Sequence, residues 1–229
     1  MGTCPEDLEI YLRPTWFIDS DSPPVAEFAR STVDDADTHV EKAVKLYYAV
    51  RDSVRYDPYV IVLDPDAFRA SAVLAAKVGF CVQKAILMAA VTRAVGIPAR
   101  LGYADVRNHL TTKRLRALMG TDVFVYHGYT ELYLDGRWVK ATPVFDRSLC
   151  EYFKVKPLEF DGKSDSVFHP FDAEGRRHME YLRDHGHFDD FPFDEMVAAF
   201  RQAYPALFDQ GVDWTRGNFG KEAARERRA

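Results

Sequence analysis

An α+β fold, with helices ahead of an antiparallel sheet and one interior helix between them, is what three features of this 229-residue chain predict. Ten of the fourteen residues from Val82 to Val95 are apolar, on every face, with Lys84 and Arg93 the only charges. A helix that is hydrophobic all round is a buried central helix. After Pro98 the periodicity changes from helical to alternating. Asp135-Gly136 then sits between two alternating runs, the strongest short-range hairpin signal a sequence carries. Helices, an interior helix, then a hairpin make an α+β order.

The elements follow in turn. Residues 1 to 23 read as extended and turn-like, broken by Pro14, Asp19 to Ser22 and Pro23-Pro24. A short helix is predicted from Val25 to Arg30. A longer one, capped by Asp37 or Thr38, carries Val40, Val44, Tyr47, Tyr48 and Val54 at helical spacing and closes at Arg55. Tyr56-Asp57-Pro58-Tyr59 reads as a turn into a short apolar extended piece, Asp64-Pro65 as another turn, and Ser71 to Lys77 as a helix ended before Gly79. The interior helix stops at Gly96-Ile97-Pro98, glycine supplying the left-handed position and proline unable to continue. Ile97 to Val106 reads as a strand, Leu110 to Met119 as a polar helical insert, and Thr121 to Leu134 with Arg137 to Thr142 as the hairpin. Residues 147 to 172 look irregular with a strand near Lys154 to Phe160, followed by helices at Glu174 to Arg183 and Phe193 to Tyr204. Residues 1–229 are read as a single domain: a core over about 37–146, an extension at 147–215 packed on it, and a loose charged tail at 216–229.

Composition narrows the function classes. A hydrophobic fraction of 47% and a charged fraction of 28% are those of an ordinary globular domain. A net charge of -5 gives no footprint for nucleic acid. No run is long enough for a bilayer, and the N-terminus lacks the basic start and apolar stretch of a signal peptide, so no membrane partner is expected. Cys4, Cys81 and Cys150 are too few and too scattered for a disulfide framework or zinc site, which suits a reducing cytoplasm. His178, His185 and His187 lack a second set of ligands at metal spacing, so neither metal nor cofactor is expected.

Cys81, preceded by Gly79-Phe80, lies in the first turn of the interior helix. Unpaired N–H groups and the positive dipole end there favour thiolate over thiol. A two-residue turn at Asp135-Gly136 pairs Leu134 with Arg137 and Thr130 with Ala141, which sets His127 opposite Val144. Its face then carries Tyr129, Glu131, Thr142 and, if pairing persists past Pro143, Asp146. A nucleophilic thiol needs a base within reach and a third group to orient that base. Cys81, His127 and an acid on the next strand would supply those parts. Glu131 could support His127 or be a solvent-facing strand charge. The cluster Asp105 to His109 could line a cleft, with His109 the rival base, although loop solvation explains it more simply. Trp138 reads as packing against the Cys81 helix. Cys4 and Cys150 read as structural thiols, and Arg225 to Arg228 as a solvated helical tail.

The local motifs occur in a telling order: Tyr47 to Tyr56, Gly79-Phe80-Cys81, Gly96-Ile97-Pro98-Ala99-Arg100, His127-Gly-Tyr-Thr-Glu131 and Gly136-Arg-Trp138. This run, from Val44 to Asp146, resembles the transglutaminase-like superfamily, a papain-like group of thiol enzymes. The resemblance implies a Cys–His–Asp triad with Cys81 as nucleophile and His127 as base, and a Cys81 helix packed on the sheet that carries the other two groups. It also implies an acyl-thioester intermediate and a peptide or amide substrate. One departure stands out. The family places its Asp four residues after the hairpin Trp, just before a Pro, and Thr142 holds that position here. Asp146, of the same strand parity, is the expected third member, with Thr142 as a weaker alternative. The expected activity is a thiol-dependent hydrolase or acyl transferase; the competing expectation is a catalytically inactive scaffold of the same fold.

Overall fold

The computed structural model describes residues 8–36, 38–109, 111–168, 175–208 and 217–226. Two helices lead, α1 (Pro23–Val33) and α2 (His39–Ser53). Thr38 caps α2 in a reciprocal box with Glu41, each satisfying a backbone N–H of the other end; Asp37, the other expected cap, lies outside the described residues. A two-residue parallel pair, β1 (Arg55–Tyr56) with β2 (Val78–Gly79), brackets the short helix α3 (Ala70–Ala76). The central helix α4 (Cys81–Arg93) follows, and every one of its residues is buried.

Behind α4 stands a four-stranded antiparallel sheet of β3 (Ala99–Asn108), β4 (Val123–Leu134), β5 (Arg137–Ala141) and β6 (Met179–Phe188), in the order β5-β4-β3-β6. Four further helices complete the described chain: α5 (Lys113–Met119), α6 (Arg147–Phe153), α7 (Phe193–Ala203) and α8 (Phe219–Glu226). The hairpin register is the expected one, Leu134 against Arg137 and Thr130 against Ala141, but pairing stops at Ala141 and never reaches Val144. Among the described residues, no helix is long and apolar enough to cross a membrane.

Three segments differ from the sequence reading. Where Glu174 to Arg183 reads as a helix, β6 adds a strand to the edge of β3, with two register shifts along the pairing. A polar, mostly exposed segment takes the conformation its neighbour's unpaired edge offers, so position overrides propensity. The expected strand at Lys154 to Phe160 is not a strand in the structure; it follows α6 instead. The charged tail is held rather than loose over Phe219–Glu226. Phe219 is buried against Tyr56 and Phe153, and Tyr59 donates its hydroxyl hydrogen to Glu222 at 2.6 Å.

Burying α4 leaves two cationic side chains inside. Lys84 donates to the backbone carbonyls of Arg51, at 2.8 Å, and Val54. Desolvation lowers its pKa to about 7 despite the pull of Asp146. Arg93 spends its guanidinium on the carbonyls of Arg13, Ala99 and Asp189, tying the end of α4 to three remote segments. Both cations give their N–H groups to backbone carbonyls of other segments, which is how a charge on an otherwise apolar helix remains tolerable.

Candidate active site

Cys81 is the first residue of α4, and it meets β4 at Gly128. A Cβ on Gly128 would lie 2.9 Å from Val82 Cα and 3.3 Å from the Cys81 carbonyl oxygen. Only glycine lets the strand and the helix entrance approach this closely. The next contact along the strand is Thr130, whose hydroxyl donates to the Ala85 carbonyl at 2.9 Å. Gly128 and Thr130 therefore face α4, and by strand alternation His127, Tyr129 and Glu131 face the other way.

Burial dominates the electrostatics of both reactive groups. The backbone N–H groups of Gly128, Val82 and Cys81 face the sulfur and favour its thiolate, as a helix entrance should, yet desolvation outweighs them and pushes the thiol up to about 11. The expected thiolate is thus a thiol in this structure, because Cys81 is only 5% exposed. Desolvation likewise pulls His127 down to about 4, leaving a neutral ring. That ring is roofed by Phe168, edge-on at 5.3 Å, with Phe145 tilted and His178 edge-on against the same phenyl group. No hydrogen bond joins the Cys81 sulfur to the imidazole among the described residues, and His127 Nδ1 has no partner.

Asp146 lies elsewhere than beside that nitrogen. It is the N-cap of α6: one carboxylate oxygen accepts from Leu149 N at 3.0 Å and from the Ser148 hydroxyl, the other from Tyr56 N at 3.1 Å. These donors hold its carboxyl below the usual value against the cost of burial. The strand parity that pointed to it presumes a ladder running past Pro143, and the ladder stops two residues earlier. Thr142 follows directly on β5, fully buried, and its hydroxyl oxygen, like His127 Nδ1, has no hydrogen-bond partner among the described residues. Glu131 is taken by Arg100, whose Nε donates to it at 2.6 Å. Trp138 covers that pair, its ring 4.0 Å from the Arg100 guanidinium, and packs on Tyr11 and Tyr133 rather than on the Cys81 helix. His109 is turned toward Glu180 at 3.5 Å. Cys150 is a buried thiol, and Cys4 lies outside the described residues.

Sequence reasoning missed the device that sets the angle of His127. A register shift falls between Ala104 and Val106, and opposite it Tyr126 takes a left-handed φ of 54°. Asp105 accepts from the Tyr126 N–H at 3.1 Å and binds His185 Nε2 at 2.7 Å, while the His185 ring stacks on Tyr126 at 4.4 Å. A bulge one residue before a candidate catalytic side chain re-aims it. Nothing local in the sequence signals this, since Asp105, Tyr126 and His185 come from three separate strands.

A buried helix headed by a thiol and laid across an antiparallel sheet is the architecture of the papain-like group. Within that group the chain belongs to the transglutaminase-like superfamily, whose family model matches residues 26–143. Among solved structures it is similar to a candidate cysteine protease from Cytophaga hutchinsonii, at 17% identity and a TM-score of 0.48, the match covering 81% of this chain and 55% of that one. It is also similar to a candidate protease from Parabacteroides distasonis, at 17% identity and a TM-score of 0.38, covering 56% and 26% respectively. The chain spans about half the length of the first of these. No curated protein matches it.

Proposed function

We propose that this protein is a thiol-dependent amide or peptide hydrolase in which Cys81 is the nucleophile and His127 the general base. The observation that carries the reading is the Gly128 contact, which lays the β4 backbone next to His127 against the first turn of the Cys81 helix; the imidazole leaves that strand on its other face, so the ring must turn toward the sulfur in the substrate-bound state. His127 takes the thiol proton and the sulfur attacks the substrate carbonyl. The imidazolium then protonates the departing amine, and water hydrolyses the acyl-thioester. Transfer of the acyl group to an amine would follow the same path. The N–H groups of Cys81 and Val82, at the helix entrance, are suited to hold the oxyanion. The Gln83 side chain is not, being tied to Phe80 N at 3.2 Å and to the Ala67 carbonyl at 2.8 Å. In the resting molecule thiol and imidazole are both neutral, so proton transfer belongs to the substrate-bound state.

A second reading, an inactive scaffold of the same fold, is favoured by the partnerless His127 Nδ1 and by Thr142 standing where the superfamily has its Asp. Hydrolysis of a p-nitrophenyl ester separates the two. An enzyme loses at least about a thousandfold in kcat/KM in both Cys81→Ala and His127→Ala. A rate that Cys81→Ala leaves unchanged sinks the hydrolase and leaves the scaffold. Iodoacetamide labelling of Cys81 in the free protein should be slow at pH 7 and quicken only as the pH approaches the raised thiol pKa of about 11.

A further inference from the structure

Beside Cys81 lies a cavity of about 40 Å³. It is framed by Pro58 and Ile61 from the segment after β1, by Leu115 and Met119 of α5, and by Phe200 and Leu207 from α7 and the turn after it. No charged side chain lines it. The Tyr204 hydroxyl on its wall is already spent, accepting from Val125 N at 2.7 Å and donating to the Val123 carbonyl at 3.1 Å. Ile61 and Leu207 are partly exposed, so the cavity has an approach from solvent. His127 is not among its lining residues.

We propose that this cavity is an acyl-side specificity slot for a branched aliphatic side chain, so that the substrates are peptides or peptide-like amides with valine, isoleucine or leucine on the acyl side of the bond broken. The inference rests on the reading of Cys81 as nucleophile and His127 as base. The chemistry of the step then sorts the substrate in space. The departing amine must be protonated by the imidazole, so it leaves on the His127 side of the sulfur. The acyl substituent must lie on another side, and the apolar slot is the space that Cys81 opens to away from His127. Its size admits about three or four heavy atoms, judged by the volume a single water needs. Apart from the hydroxyls of Tyr204, already spent, and of Tyr56, the lining offers a side-chain carboxamide no polar partner, so most of its N–H and C=O groups would go unpaired, disfavoured by roughly tenfold or more. The larger cleft of about 410 Å³ on the Tyr129 face is lined by Lys140, Asp165, Arg183 and Asp184 and does not reach Cys81, so it cannot supply an apolar selection at the acyl residue.

Two measurements on the full chain test this. The first is Cys81-dependent hydrolysis of N-acetyl-aminoacyl p-nitrophenyl esters bearing Gly, Val, Leu, Gln, Asp or Lys. The slot requires kcat/KM for Val and Leu to exceed Gly by about tenfold or more, and Gln, Asp and Lys to fall below Gly. Leu207→Trp should then cost the Leu ester about tenfold more than the Gly ester. The second is modification of Cys81 by methanethiosulfonates, read by peptide mass. The sulfur forms a disulfide with the reagent's sulfenyl group and methanesulfinate leaves, with no catalytic step required. After normalisation to a free thiol in solution, the n-propyl reagent should react at least about tenfold faster than the sulfonatoethyl and trimethylammonioethyl reagents. Cys81-dependent turnover with no aliphatic preference overturns the slot and leaves the hydrolase. Aliphatic preference in labelling without any Cys81-dependent turnover supports an apolar slot and overturns the hydrolase. Equal labelling by all three reagents overturns the slot.

Discussion

Two ends of one hairpin face handle buried polarity in opposite ways. At the turn-proximal end, Glu131 and Arg100 form a short ion pair, about a tenth exposed, under Trp138. Four residues further along β4 on the same face, His127 Nδ1, like Thr142 Oγ1 beyond the end of β5, is buried with no hydrogen-bond partner among the described residues. Buried polar groups are almost always satisfied, and leaving one orphaned costs about 1–3 kcal/mol. The satisfied cluster is what a sheet needs in order to stand. The unsatisfied pair costs stability, and it is the end of the face that holds the proposed base.

The contrast is sharpest where it can be broken. Glu131→Ala leaves Arg100 buried without its carboxylate and should destabilise the protein by about 3 kcal/mol in urea unfolding. Ester hydrolysis per folded molecule should stay the same, and a loss of turnover in the folded fraction would erase the distinction between the two ends. The His127 end should show itself in acid. Its folded pKa is lowered to about 4 from an ordinary value near 6.5, so between those values the unfolded chain binds the extra proton. Stability therefore rises with pH across this window and falls, by up to about 3 kcal/mol, as pH drops from 6.5 to 4. The His127→Gln variant should lack that part of the slope, whereas Lys84, which differs between folded and unfolded states only above its lowered value of about 7, contributes nothing there. An identical acid slope in His127→Gln would mean that the ring is not buried in solution. Smallest is the gain expected from Thr142→Asp. A carboxylate at the position where the superfamily has its Asp should orient the imidazole, raise its pKa from about 4 and raise kcat by about tenfold. A fall in kcat would show that the ring is oriented by something other than Thr142.

Much of this was legible in the chain. A run apolar on every face and closed by Gly96 and Pro98 has no option but the interior, and Gly96 takes the left-handed φ of 80° that such an ending requires. Asp135-Gly136 determines a two-residue turn, Asp135 and Gly136 both adopting positive φ, and with it the register as far as Ala141. These are local decisions, made by neighbours in sequence, so the sequence makes them alone. The placement of the candidate third member was not of that kind. Parity along a strand says which face a residue shares only while the ladder lasts, and Pro143, which has no N–H to give, stands where the ladder has already ended. Asp146 was then free to cap α6 instead.

The sequence by itself determined the interior helix with its thiol at the entrance, the hairpin and its register, and the Thr in place of an acid after Trp138. Only the tertiary structure decided that the thiol stays protonated, that the imidazole stays neutral under Phe168, that a bulge held by Asp105 and His185 turns the strand before His127, and that a polar segment near the C-terminus becomes β6 rather than a helix. The reason is one of range. Turns and caps answer to residues a few positions away, whereas burial and the partners of a polar atom depend on which distant segments close over it.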